Sequence, residues 1–286
     1  MTQFKYQLSL VSIMKYEEPY VAEWVAFHKV CGVQHFYIYD NNEQSSMASV
    51  LQPYIEQNIV TLIPCYGELK MFQAYNHAID NFKNESKYMA FIDADEFLVS
   101  VPDEPLPDIV DSVFDKLTEA ASQYESRQVG GIGVNWKVYG TGHHETKPSG
   151  LVIENYTLRG ETTANRHIKS IVNPRAVDRW INPHYALYLS GYRSVSQNGF
   201  YLSGPFCNVE NASPLRINHY FYKSVEEFKF RINRKKCDVK ITDAELQISI
   251  NNALARSEEY NEIEDKTACR FADRVRAELL ANGYTL

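Results

Sequence analysis

Three carboxylates interrupt an apolar run in "FIDADEFL" (Phe91–Leu98): Asp93, Asp95 and Glu96. Asp93 and Asp95 lie two residues apart, so on an extended segment they project to the same side, with Ala94 opposite. Carboxylates that close repel unless a cation sits between them or one is protonated. A hard divalent ion, Mn²⁺ or Mg²⁺, takes oxygen ligands and keeps positions open for substrate phosphates. The D-x-D spacing therefore suits a metal that grips a diphosphate. The bland alternative is a set of solvated loop acids or helix caps. Position weighs against it, because the acids follow an apolar run with the character of a buried strand.

The elements needed to hold such a site are legible upstream. "QLSLVSIM" (7–14), "HFYIYD" (35–40), "VTLIPCY" (60–66) and "YMAFID" (88–93) are short, apolar and rich in β-branched or aromatic residues, as buried strands are. Between the first two, Pro19 follows acidic residues at a helix start, and Val21, Trp24, Val25 and His28 fall at i, i+3, i+4 and i+7. A polar loop, "NNEQSS", follows the second strand. A further amphipathic helix precedes the fourth through Phe72, Tyr75, Ile79 and Phe82. Strands alternating with helices predict an α/β fold with a doubly wound, mostly parallel central sheet flanked by helices. Ligands of such sheets sit beyond the carboxyl ends of the strands. Those ends carry Ser12–Lys15, Asp40–Asn41 and Asp93–Glu96.

Past residue 100 the pattern changes. One helix around Ile109–Leu117 is followed by segments expected to be β-rich, "GGIGVNWKVYG", "GLVIENYTLR" and "IKSIVNPRAV". From Ser224 the chain turns helical again. One α/β domain over 1–235 with a helical C-terminal extension over 236–286, packed on it, is the expected organisation.

Composition narrows the function classes. The chain has 286 residues, 44% of them hydrophobic, enough for a sizeable core. Its formal charge of −7, from 29 basic and 36 acidic residues, argues against a nucleic-acid binder. The longest basic run, "RINRKKCDVK", is most simply the end of a helix. Five scattered cysteines form no CxxC pair, so neither a zinc site nor a disulfide framework is expected. No apolar h-region opens the sequence and no stretch approaches ~18 apolar residues. The expectation is a cytoplasmic protein, in which the sequons at Asn84, Asn155 and Asn211 carry no meaning. Peripheral contact with the inner face of a membrane stays open.

Several segments, in order, resemble glycosyltransferase family 92 and related family-2-like transferases. They are "VSIMKYEEPYVAEWVAFHKVCGVQHFYIYDNN", "FQAYNHAIDNFKNESKYMAFIDADEFL", "NWKVYGTG", "IKSIVNP" and "NHYFYKSVEEF", which together reach from Leu8 to Phe228. The resemblance implies a GT-A fold, a nucleotide-sugar donor (a UDP-hexose such as UDP-galactose), a divalent cation at the D-x-D, and inversion at the anomeric carbon. It marks Asp93 and Asp95 as the metal and donor-ribose site, with Asp95 the better metal ligand, and His219 as a further metal ligand. A His nitrogen beside carboxylates favours Mn²⁺ over Mg²⁺. Lys15, Glu17, Asp40 and Asn41 would line the nucleotide pocket, and Gln73 and Asn76 would flank the nucleoside. Lys169, with Arg166, would pair with the diphosphate. Glu96 would orient a ligand from behind.

Inverting transfer needs a group to take the acceptor hydroxyl's proton opposite the leaving group. Glu145 and Glu154 are the candidates; His143, His144 and His184 are outsiders for the same role, residues that are more often structural. Trp136 would stack under the acceptor sugar or fill the core. The acceptor would be a glycan or glycolipid, in surface polysaccharide or glycoconjugate synthesis. Two other functions compete with this one. An aspartate-nucleophile phosphatase would carry its D-x-D after the first strand, whereas here it follows the fourth. A non-catalytic nucleotide-sugar or glycan-binding module on the same fold would keep the D-x-D and lack the base.

Overall fold

The computed structural model describes residues 3–44, 46–124, 127–208, 213–233 and 242–285. Cys237, the sequon at Asn211, the 235/236 boundary and most of the basic run from 231 to 240 lie outside the described residues. The first half alternates β1 (Tyr6–Met14), α1 (Glu18–Val30), β2 (His35–Asp40), α2 (Met47–Glu56), β3 (Val60–Pro64), α3 (Met71–Phe82) and β4 (Ser86–Phe91). Then come β5 (Glu96–Ser100), α4 (Leu106–Tyr124), β6 (Gln128–Val138), the one-turn α5 (Val152–Asn155), β7 (Leu158–Arg159) and β8 (Ile168–Val172). The rest is β9 (Val177–Trp180), β10 (Ala186–Tyr188), β11 (Tyr192–Ser196), β12 (Tyr201–Leu202), β13 (Leu215–His219), α6 (Val225–Asn233), α7 (Asp243–Ser257), β14 (Ile263–Glu264) and α8 (Ala272–Ala281).

The main sheet runs β12-β11-β6-β8-β4-β1-β2-β3. Its centre is parallel, β1 pairing with β2 from Ser9↔His35 to Met14↔Asp40 and with β4 from Tyr6↔Ser86 to Val11↔Phe91. On the far side β8 is antiparallel to both β4 and β6. The sheet is thus mixed, with a parallel core. Strand β1 is mostly apolar, with Ser9 and Ser12 buried among its Leu, Val and Met residues, because both its faces are covered. Leu8, Leu10 and Met14 join one cluster, with Trp24, Val25 and Phe27 of α1. Val11 joins the other, with Tyr75 of α3, Phe91 and Trp180. Such a division is the period of two expected of a strand.

Two segments depart from expectation. "GLVIENYTLR" is not a continuous strand: Val152–Asn155 turns once as helix and only Leu158–Arg159 pairs, antiparallel with β14. Glu23 of α1 causes the turn, since its buried carboxyl group accepts from Val152 N (2.9 Å) and Ile153 N (3.2 Å). The second is α2, a helix that contains Pro53 and buries Met47, Leu51 and Tyr54. The C-terminal segment shares the main core, since Phe271, Ala272, Val275 and Leu279 belong to the cluster of α1. Arg274 binds the Val30 carbonyl (2.7 Å), and Lys29 pairs with Glu278 (2.6 Å).

Candidate active site

Between β4 and β5 the chain leaves the parallel core in a tight turn, and Asp93, Ala94 and Asp95 form it. Two neighbours on α1 fix the start of β5. Trp24 Nε1 donates to the Glu96 carbonyl (2.8 Å). His28 donates from Nδ1 to the Trp24 carbonyl (2.8 Å) and accepts the Leu98 amide on Nε2 (2.9 Å). Burial makes protonation of this ring costly, lowering its pKa to about 3, so it serves as a neutral two-ended spacer.

Strand β5 pairs antiparallel with β13, and the register sets His219 opposite Glu96. The ladder continues as the Tyr220 amide donates to the Asp95 carbonyl (2.9 Å). A residue 124 positions downstream is thereby brought to the turn: His219 Nε2 stands 3.2 Å from Asp95 Oδ2. Arg231 of α6 donates to the same oxygen and to the Phe221 carbonyl (2.9 Å). Burial disfavours the Asp95 anion, but Arg231 and His219 outweigh it and hold this carboxyl well below the usual range.

Across the turn, Lys169 of β8 is 1% exposed, with Nζ 2.9 Å from Asp93 Oδ2 and 3.4 Å from Glu96 Oε2. Burial opposes its charge, yet Asp93 and Glu96 hold the ammonium above its ordinary value. Glu96 is fully buried. Its Oε2 accepts the Asp93 amide (2.9 Å), bracing the turn, while Oε1 is without a hydrogen-bond partner. Burial raises its pKa against the pull of Lys169. Asp93 keeps a third of its side chain exposed and lies 3.5 Å from the Tyr75 hydroxyl.

Asp95 Oδ2 and His219 Nε2 lie 3.2 Å apart, and Arg231 donates to that same oxygen. This nitrogen and this oxygen are spaced as adjacent ligands would be, and both donor types suit Mn²⁺. No group of three or more His, Cys, Asp or Glu gathers for a metal among the described residues. A protein pair completed by substrate phosphates and water is the usual arrangement for such an ion.

Other expected residues separate into groups. Lys15 and Asn41 line an open cavity of about 510 Å³ at the carboxyl ends of β1, β2 and β3, with Tyr16, Glu43, Gln44, Gly67 and Glu68. Asn41 Nδ2 donates to the Cys65 (2.6 Å) and Gly67 (2.9 Å) carbonyls, and Asp40 Oδ1 receives the Asn42 amide (3.0 Å) and side chain (2.8 Å). Both therefore shape the rim. Glu17 instead faces a small recess with Tyr20, Lys223 and Arg231. Gln73 is exposed and accepts from Lys70 (2.8 Å). Asn76 is spent on the fold, clasping the Trp180 amide (2.7 Å) and carbonyl (3.3 Å). Arg166 is exposed.

The two acids expected to take a proton have other surroundings. Glu154 pairs with Arg276 of α8, and Glu145 is exposed on a turn whose carbonyl receives the Glu226 amide (3.0 Å). Trp136 sits at 4.3 Å, ring to ring, from His219. Sequence reasoning missed Arg231, which hides in a run resembling a helix end, and Lys223. Lys223 has positive φ (51°) and lies 3.7 Å over the Tyr20 ring.

The glycosyltransferase family 92 model matches residues 11–198. A glycosyltransferase family 92 protein of Ricinus communis is 27% identical over 235 residues, covering 81% of this chain and 38% of that protein. One from Arabidopsis thaliana is 25% identical over 237 residues, again 81% and 38%. The chain thus spans well under half the length of these relatives. Among solved structures, Staphylococcus aureus TarS 1–349 in complex with UDP aligns over 87% of this chain and 71% of that one. Its TM-score is 0.42 at 11% identity, a distance at which likeness carries no argument. The chain belongs to glycosyltransferase family 92.

Proposed function

We propose that this protein transfers a sugar from a nucleotide-sugar donor to a glycan or glycolipid hydroxyl, with inversion, using a divalent cation held by Asp95 and His219. One observation carries the reading: a late strand delivers His219 to Asp95 at 3.2 Å, beside the Asp93–Lys169 pair, at the carboxyl edge of the parallel sheet. The cation, when bound, neutralises the charge that develops on the departing diphosphate. Asp95 and His219 hold it there. Lys169 fixes Asp93 against the turn, and the cavity of Lys15 and Asn41 receives the nucleoside end.

The Glu154–Arg276 pair favours a second reading, a module that binds the donor and transfers nothing. Release of nucleoside diphosphate from a panel of nucleotide sugars, UDP-hexoses first, with and without Mn²⁺, separates the two. The transferase reading expects Mn²⁺-dependent release on one donor, reduced roughly a thousandfold in Asp95→Ala, as the loss of several kcal/mol of charge stabilisation implies. Release that ignores both Mn²⁺ and the Asp95 substitution would refute the site.

No helix among the described residues is long and apolar enough to cross a membrane. A place of work in the cytoplasm, at the inner face of a membrane where surface polysaccharide is assembled, belongs to the same proposal and rests on the sequence-based expectation, not on the lack of a spanning helix.

A further inference from the structure

His184 lies between β9 and β10, on a segment fastened to β8 beneath it. Its own carbonyl accepts from Ser170 Oγ (2.7 Å), its amide donates to Asn182 Oδ1 (2.9 Å), and the preceding Pro183 carbonyl lies 3.4 Å from Lys169 Nζ. The ring is oriented as well. His184 Nδ1 is 2.9 Å from the Ile168 carbonyl, which can only accept, so Nδ1 carries the hydrogen and Nε2 keeps its lone pair. Nε2 has no hydrogen-bond partner among the described residues, and the side chain is only partly covered.

The backbone just before His184 and the ring itself each lead to the proposed transfer site. Lys169, which touches the Pro183 carbonyl, is the same ammonium that pairs with Asp93. The indole of Trp136 lies 5.2 Å from His184 edge-on and 4.3 Å from His219, so one aromatic ring spaces the two imidazoles. A neutral, oriented imidazole with an open lone pair near the proposed metal-diphosphate site is the arrangement expected of a proton acceptor. Burial and the Lys169 charge lower its pKa to about 4 against the opposing influence of Asp93, so the ring is unprotonated at neutral pH but a weaker base than a free imidazole; His167, 5.4 Å away, is the other titratable ring against it.

We infer that His184 is the catalytic base: its Nε2 takes the proton of the attacking hydroxyl, an assignment that rests on the transferase reading. The hydroxyl oxygen bonds to the anomeric carbon as the bond from that carbon to the diphosphate oxygen breaks. The electron pair leaves with the nucleoside diphosphate, and the hydroxyl proton passes to Nε2 and then to solvent. Glu145 and Glu154 are not needed for this step.

The test uses the full chain, Mn²⁺, and the nucleotide sugar that the wild type turns over, with water as acceptor and nucleoside diphosphate release as the readout. His184→Asn retains a side-chain amide that can reach the Ile168 carbonyl but has no basic nitrogen. Its kcat should fall by about 10²-fold or more, the usual contribution of general acid–base catalysis, with KM for the donor within about threefold of wild type. Added imidazole should restore part of the rate to His184→Gly, a rescue that a folding defect would not show. His167→Asn, on the same indole, should keep its kcat within about threefold. If His184→Asn turns over normally, loses only donor affinity, or is matched by His167→Asn, the assignment falls while the transferase reading stands. Absence of turnover by the wild type on every donor would overturn both.

Discussion

Two buried aspartates, Asp95 and Asp265, answer the same problem differently. Asp265 accepts from Arg159 Nε (2.7 Å), from Arg216 on both oxygens (2.9 and 2.7 Å) and from the Thr267 amide (3.1 Å). Its donors cover both oxygens and come from β7, β13 and its own loop. They rivet the C-terminal segment to the sheet. Among the described residues, both side-chain partners of Asp95 fall on Oδ2, and next to it Glu96 Oε1 and His219 Nδ1 are buried with no partner. Burial raises each acid's proton affinity, and cations outweigh that at both places. What differs is how the oxygens are used. Each cluster keeps a buried unpartnered atom, Arg216 Nε beside Asp265 and Glu96 Oε1 and His219 Nδ1 beside Asp95, but Asp265 is bonded on both oxygens while the side-chain partners of Asp95 share one oxygen at a sheet edge.

Removing each acid should break different things. The largest effect is that of Asp95→Ala on turnover, a roughly thousandfold loss of diphosphate release. Asp265→Ala should leave turnover per folded molecule within about twofold. It removes the carboxylate partner of two mostly buried guanidiniums, of which Arg159 keeps Glu161 and Arg216 keeps the Tyr139 hydroxyl (3.3 Å). The loss is bounded above by the cost of breaking a buried pair, about 3–5 kcal/mol. For a chain of this size that is a fall in melting temperature of roughly 5–15 °C. Calorimetry beside the release assay checks it. An Asp265 variant that melts normally yet is inactive would reverse the roles of the two acids.

Lys169→Met sharpens the contrast within the site. It removes the cation between Asp93 and Glu96, but burial already raises the pKa of Glu96, so without Lys169 it can take a proton and lessen the penalty. The expected loss of stability is about 1–2 kcal/mol, smaller than for Asp265→Ala. Turnover should still fall by roughly 10²-fold, because the Asp93 side of the turn loses its anchor. Equal destabilisation by the two substitutions would make Lys169 a structural residue like Arg216.

Much of the fold is legible in the sequence alone. Strands β1 to β4 are apolar runs bounded by turn residues, so their existence and order follow from local pattern, as does the D-x-D at a strand end. Asp95–His219 needed the family resemblance, because pairing between β5 and β13 joins residues 124 positions apart and no local signal encodes it. Arg231 was invisible for the same reason. Val152–Asn155 looked like strand because Leu151, Val152 and Ile153 are apolar, and the tertiary bonds to Glu23 overrode that preference. The segment from 47 to 59 suggested no element because Pro53 interrupts the pattern, although the helix accommodates it. His184 stood only as an outside candidate, because the orientation of its ring depends on a carbonyl sixteen residues upstream.

Glu23 completes the comparison as a buried acid whose direct partners are two neutral amides. Burial raises its pKa from 4.5 to about 7, against the pull of the Val152 and Ile153 amides, with Lys223 a lesser influence. The folded state therefore prefers the protonated acid, and the associated stability is fully present below pH 4.5 and lost as pH rises through about 7. Asp265 has the opposite sign: its folded pKa is depressed, so its contribution is present above the unfolded value and lost on acidification. His28, lowered to about 3, also loses its contribution on acidification, but equally in wild type and in a Glu23 variant. Glu23→Gln should thus be less pH-sensitive than wild type between about pH 4.5 and 8. The stability difference should shift in favour of the variant by about 1–3 kcal/mol across that range. Denaturant midpoints measured at about pH 5 and about pH 8 read this directly. A difference that stays constant would mean that Glu23 is ionised throughout, held by its amides as firmly as Asp265 is by its arginines.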